Sequence, residues 1–190
     1  LFDKGSVSPG YLNYNYNVLM SLKPNAIVLT VGDNDTYPLW ILQAQFGIRK
    51  DVQVINLSML YVDEYFKKLS DKLQFEYIDP MKSYENAAHY VNSIVKRIAN
   101  NALKRPVYTA LTVDEKFTKP VANELYLVGL AYEYSLEKFD NIAVLKKNME
   151  QQFALDYLQV QFYKDNAQES IKYANGNYLV PMITLYEHYK

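Results

Sequence analysis

Cysteine is absent from the chain. That excludes disulfides, thiolate metal sites and a cysteine nucleophile, and it leaves either redox compartment open. Charge of one sign is also missing: 20 basic residues face 21 acidic ones with no block of either. The clustered Lys and Arg of a nucleic-acid surface are therefore not there. No apolar run approaches the length that spans a bilayer, and Leu1 begins no signal peptide. The absent initiator Met is what an excised fragment or a processed chain would show. Tyrosine, by contrast, occurs 19 times. Its apolar ring and polar tip suit half-buried packing first, and sugar- or peptide-binding surfaces second. At 190 residues the chain suits one domain, or a domain with a short appendage, and can bury a sizeable core.

Tyr14 to Leu22 carries apolar residues near helical spacing, and Lys23-Pro24-Asn25 stops it. Ala26 to Val31 and Val52 to Leu57 are short, branched apolar runs, the pattern of strands buried on both faces. Between them Pro38 fits a first helical turn, Asp35 or Thr36 is a candidate cap, and Gly47 is a plausible C-terminal cap. Strand, loop, helix and strand in some thirty residues make a βαβ unit, expected to be right-handed. Val62 to Leu69 predicts a short helix, Leu73 to Pro80 an irregular or edge segment, and Tyr84 to Leu103 the strongest amphipathic helix. Val107 to Val113 predicts another strand. Leu125 to Tyr134 alternates as one strand with Gly129 inside it. Ala143 to Tyr163 predicts a long helix, Asn175-Gly176 a turn, and Tyr178 to Tyr189 a last helix with Pro181 in its first turn. The fold class is α/β: a Rossmann-like, mainly parallel sheet flanked by helices over 1–140, with a helical C-terminal pair over 141–190, too short to show a repeat.

In open α/β sheets ligands sit beyond the carboxyl ends of strands. The loop Gly32-Asp33-Asn34-Asp35-Thr36 occupies such a place, and Asn56 with Ser58 ends the second strand. Asp33, Asn34, Asp35, Thr36, Asn56 and Ser58 are thus the candidate ligand-binding set. The carboxylates could hold a divalent cation, orient a sugar hydroxyl or act in acid–base chemistry. Metal use stays open, and no cofactor is implied. One glycine and two carboxylates argue against a phosphate site, and neither G-x-G-x-x-G nor a P-loop occurs. Asp and Asn in such loops also commonly cap backbone N–H groups, and one of Asp33 and Asp35 is expected to cap the helix near Pro38. The N-x-S/T sequons at Asn34 and Asn56 read as coincidence, since a glycan there would collide with the sheet edge. His89 and His188 have no ligand or triad partners in sequence, and no G-x-S-x-G elbow exists. Trp40 either walls a pocket or packs in the core. Asp114-Glu115 reads as a polar loop.

The stretches Lys23 to Trp40 and Gly47 to Ser58, with Lys104-Arg105-Pro106-Val107-Tyr108 and Gly129-Leu130-Ala131-Tyr132, resemble the family called domain of unknown function 2723. Its members are polytopic bacterial membrane proteins similar to a vertebrate transmembrane protein O-mannosyltransferase. In them a membrane-embedded part precedes a soluble portion carrying G-D-N-D-T. The resemblance leaves the helical C-terminal end unmatched. It implies a domain on the extracytoplasmic (periplasmic) face of a bacterial membrane, partnered by the membrane-embedded part of the same protein. That accessory domain of a glycosyltransferase-like protein would contact a glycan or acceptor polypeptide without being catalytic by itself. A self-contained hydrolase or transferase using Asp33 and Asp35, and a structural adaptor leading into helical repeats, are the other readings. Nucleic acid is not an expected partner.

Overall fold

The computed structural model describes residues 8–77, 87–101, 104–159 and 168–190. Among these residues five strands form one sheet in the order β2-β1-β3-β5-β4. They are β1 (Ile27–Thr30), β2 (Gln53–Asn56), β3 (Val107–Ala110), β4 (Leu125–Leu127) and β5 (Ala131–Tyr134). β1 pairs in parallel with β2 (Ile27 opposite Gln53) and with β3 (Ile27 opposite Val107). β5 runs antiparallel between β3 and β4. The expected α/β sheet with adjacent, parallel β1 and β2 is what the chain forms.

Both faces are covered, which is why the strands could be apolar throughout. Helices α1 (Pro9–Met20) and α2 (Asp33–Phe46) pack on the face that carries Val28, Val54 and Tyr108. Helices α3 (Asp63–Leu73) and α4 (Ala87–Asn101) cover Ile27, Leu29, Ile55 and Val107 on the other. The predicted stripe of α4 is buried at Tyr90, Val91, Ile94, Val95 and Ile98. Each such side chain contributes about 1.5–3 kcal/mol of transfer free energy. Residues 78–80 of the expected edge segment, and both ends of the expected 84–103 helix, lie outside the described residues. After β3 come a short helix α5 (Glu115–Thr118) and a 3-10 stretch (Lys119–Glu124), where a polar loop was expected.

The alternating segment Leu125 to Tyr134 is a hairpin rather than one strand. Val128 N–H bonds Ala131 O at 3.0 Å across the Gly129-Leu130 turn. A Cβ at Gly129 would lie 3.0 Å from the Phe153 ring and 3.1 Å from Ser21 Cβ. The Ser21 hydroxyl accepts from Leu130 N–H at 3.1 Å. The glycine is there so that α1 and the chain near Phe153 can close on the turn.

The long helix expected over Ala143 to Tyr163 stops early. Helix α6 (Asn141–Lys147) gives way to a π turn (Asn148–Gln152). The buried Asn148 side chain donates to Ser21 O and Val128 O, at 3.3 and 2.7 Å. Asn17 then holds the extended chain at Ala154, accepting from its N–H at 2.8 Å and donating to its carbonyl at 2.9 Å. Local tethers to α1 and the hairpin thus override helical propensity. Residues 160–163 lie outside the described ones. Asn175-Gly176 does not turn the chain: α7 (Gln168–Asn175) continues through one 3-10 turn into α8 (Leu179–Tyr189). Pro181 sits in the first turn of α8, as expected. Ile171, Ala174 and Tyr178 join the core against α1.

Candidate functional site

β1 feeds α2 and then β2 on one side, while the chain from β2 returns to β3 on the other side of β1. The carboxyl ends of β1 and β3 therefore lie at the point where strand order reverses, the place where open α/β sheets bind ligands. Gly32 makes the exit from β1, with φ +76° and ψ 174°, a conformation strained for any residue with a Cβ.

Helix α2 begins at Asp33, a turn earlier than the expected start at Pro38. That places Pro38 inside the helix, where its lack of an N–H orphans the carbonyl of Asn34. The Asn15 side-chain amide of α1 replaces the missing donor, at 3.0 Å from Asn34 O and 2.9 Å from Tyr11 O. Asn34 Nδ2 donates to the Tyr11 hydroxyl at 3.1 Å. The expected aspartate cap is accordingly corrected. Gly32 is the cap residue and makes no side-chain capping bond. Asp33 and Asp35 lie within the first turn, where a carboxylate meets the positive end of the helix dipole.

The six candidate residues do not face one space. Thr36 is fully buried and shares a 2.8 Å hydrogen bond with the Thr30 hydroxyl. Asn56 is buried: its Oδ1 accepts from Ser58 N–H and Met59 N–H at 2.8 and 3.3 Å, and its Nδ2 donates to Thr36 Oγ1 at 3.0 Å. Both side chains are engaged in tying α2 to the ends of β1 and β2. An Asn56 with its amide so occupied is also no glycan acceptor in the folded chain. Ser58, Asp33 and Asn34 are exposed.

Asp35 is different. It is partly buried, and desolvation raises its carboxyl from 3.8 to about 6, a rise that the nearby Thr112 hydroxyl partly offsets. Thr112 Oγ1 approaches from the end of β3 but is buried without a hydrogen bond of normal geometry among the described residues. The Tyr14 hydroxyl of α1 is in the same position: its residue is 2% exposed, and its oxygen has no bonded partner among the described residues. Burial first, and then the charge of Asp35, push its ionisation far up, with the Asn177 amide beside it but outside hydrogen-bond geometry. Asp35, Thr112 and Tyr14 come from three elements. Neither Thr112 nor Tyr14 was singled out from the sequence, although Thr112 closes the third apolar run.

Trp40 is partly buried on the core, with the exposed Tyr37 ring 5.6 Å away, and lines a shallow cleft with Gln43, Ala44 and Lys50. His89 and His188 are exposed. Among the described residues no cluster of three His, Asp or Glu could hold a metal ion. The basic stretch after α2 has a structural role. Arg49 donates to Leu19 O and Leu22 O at 2.8 Å each and to Lys23 O at 2.7 Å, closing the end of α1. Arg105 donates to Asn25 O at 2.6 Å and to Ala26 O at 3.1 Å.

Among the described residues no helix is long and apolar enough to cross a membrane. Comparison with curated proteins and with solved structures finds no match. Residues 11–96, a little under half of the chain, match the model of TMEM260-associated domain 2, a domain of a membrane protein family. The match runs from α1 into α4 and takes in the Gly32–Thr36 loop, while β3 and the hairpin lie beyond it. Over its β1–β2 half the chain is therefore similar to a domain associated with a membrane protein.

Proposed function

We propose that the chain is an extracytoplasmic accessory domain of a membrane glycosyltransferase-like protein of the kind called domain of unknown function 2723. It contacts an acceptor glycan or polypeptide through the surface beyond the carboxyl ends of β1 and β3. The observation that carries this reading is the membrane-protein-associated match over residues 11–96, which contains Asp33, Asn34 and Asp35. Exposed Asp33 and half-buried Asp35 supply the acceptors that hydroxyl or amine donors of such a ligand require. Transfer chemistry belongs to the membrane-embedded part of the same protein.

The test pairs two measurements on the purified chain. Incubation with a lipid-linked sugar donor and acceptor peptide should give no product. Titration with oligosaccharides and acceptor peptides, followed by amide chemical shifts, should move residues around Asp33 to Asp35. Turnover by the isolated chain refutes the accessory role. Shifts confined to other surfaces refute that location.

A second reading, a structural adaptor, has its own observation. Helix α8 exposes Leu179, Ile183 and Tyr186, at 59, 52 and 67%. Apolar residues exposed together on one helix mark a surface that packs on something, here a following helical layer of the parent protein. Ile183→Glu would leave binding at the strand ends intact and disrupt only that assembly, read by cross-linking in the parent protein.

A further inference from the structure

We propose that the cleft on the outer face of α2, between Trp40 and Lys50, seats the pyranose ring of a neutral glycan. This rests on the reading that the chain contacts a glycan, and it gives the sugar a surface on α2 itself, beside the strand ends.

The cleft is built around the chain's single tryptophan. Its indole packs on the core cluster that holds Val28 and Tyr108, and it also lines a cleft of about 340 Å³ with Gln43, Ala44 and Lys50. The exposed Tyr37 ring stands 5.6 Å from it, tilted by 32°. Asp33, Tyr37, Trp40 and Ala44 fall at i, i+4, i+7 and i+11, so they follow one line along α2. That line runs from a carboxylate at the helix start, across two aromatic rings, to a small residue that leaves the cleft open. At about 1.5 Å per residue, Trp40 lies roughly 10 Å along the helix from Asp33.

Polar groups rim the cleft. Both amide N–H groups of Gln43 are bonded, to Arg49 O and Val52 O at 2.8 Å each, so its oxygen is what remains to accept from a ligand. Lys50 is exposed and forms no ion pair among the described residues. An aromatic wall, an acceptor and a cationic donor match a sugar ring. Its faces present C–H groups, and its edge presents hydroxyls that both donate and accept. Other ligands fit less well. A phosphate would meet a lone cation near the carboxyl-terminal end of α2, where the helix dipole is negative. An aliphatic chain would desolvate Lys50 and Gln43 and bond neither. At about 340 Å³ the cleft is at the small end of ligand sites, the scale of a sugar ring rather than of a nucleotide.

The experiment titrates the whole 190-residue chain with the methyl glycosides of glucose, galactose, mannose and N-acetylglucosamine, and with maltose and cellobiose. Glycerol, inorganic phosphate and a serine- and threonine-rich peptide are the controls. Indole fluorescence and amide chemical shifts at Tyr37, Trp40, Ala44 and Lys50 are the readouts. At least one sugar should change both saturably, and the controls should change neither. Ala44 is exposed, so Ala44→Gln fills the cleft without entering the core. It should weaken binding about tenfold with the thermal midpoint unchanged. Lys50→Met should weaken it several-fold. Equal responses to glycerol or phosphate, or sugar binding unchanged in both variants, overturn the proposal. A response at these residues to the peptide alone also overturns it. Sugar shifts confined to Asp33 to Asp35 overturn the cleft and leave the glycan reading standing. No shift from any sugar at either surface overturns both.

Discussion

Asn15→Ala isolates the contact that lets α2 start where it does. In the native chain Pro38 deprives Asn34 O of its helical donor, and Asn15 Nδ2 supplies one at 3.0 Å. Tyr11 O, the second acceptor, loses only an extra bond, since it is also the i−4 carbonyl for the Asn15 backbone. The expected loss is therefore that of one under-satisfied, partly buried carbonyl plus a small packing defect, about 2 kcal/mol. For a chain of this size that lowers the thermal midpoint by about 4–8 °C. The decisive variant is the double one. Pro38→Ala returns an N–H to the position facing Asn34 O, so in the Asn15→Ala background it should recover about 1 kcal/mol. In the native background it should be neutral or mildly destabilising, because it trims a buried ring without supplying a needed bond. Urea unfolding followed by circular dichroism gives all four corners of the cycle. If the two substitutions add, with no coupling between them, the Asn15 amide is not standing in for the missing N–H, and the account of the loop fails.

Three other outcomes follow from the same geometry. For Asp35, the native carboxyl titrates near 6 against 3.8 in the free residue. The native state thus binds more protons between about pH 4 and 6, and stability falls as pH rises through that window. Asp35→Asn should remove the dependence and raise the midpoint at pH 7.5 by an amount reflecting about 3 kcal/mol; an unchanged midpoint–pH profile would contradict it. Gly129→Ala should cost about 1–3 kcal/mol in urea unfolding, because the new Cβ would overlap the Ser21 hydroxyl and lie 3.0 Å from the Phe153 ring. Arg49→Lys should cost about 1.5–3 kcal/mol, since one ammonium cannot reach Leu19 O, Leu22 O and Lys23 O as the guanidinium does; full stability in the lysine variant would show the fork to be dispensable.

Strands β1, β2 and β3 were legible because a strand buried on both faces needs only a short apolar run, and Ala26 to Val31 and Val52 to Leu57 are such runs. The hairpin was not. A two-residue turn keeps the alternation in step, so Leu125-Tyr126-Leu127 and Ala131 to Tyr134 read as one strand interrupted by a glycine. What separates them is a contact with Ser21, more than a hundred residues away in sequence. Asn148 failed for the same reason. A polar residue in a helical pattern reads as surface, yet its amide is buried between Ser21 O and Val128 O.

The Gly32–Thr36 motif shows why contiguity in sequence misleads about a site. Successive residues in a helix point about 100° apart, so five neighbours at a helix start cannot share one ligand. Thr36 turns inward to Thr30 and Asn56, and Asn34 turns to Tyr11 on α1. Asp33 points to solvent. Asp35 alone turns toward β3, where it meets a hydroxyl that the sequence places 77 positions later. Its neighbours on β1 and β2 have their polar groups bonded within the fold, so changing them alters stability first. Asp35, half-buried with the Thr112 hydroxyl beside it, keeps carboxylate lone pairs to offer a ligand, so changing it should alter binding while the sheet and its helices stand. Substitutions at Asn56 and at Asp35, compared in one titration and one melt, separate these two kinds of residue: the first should lower the midpoint, the second the affinity.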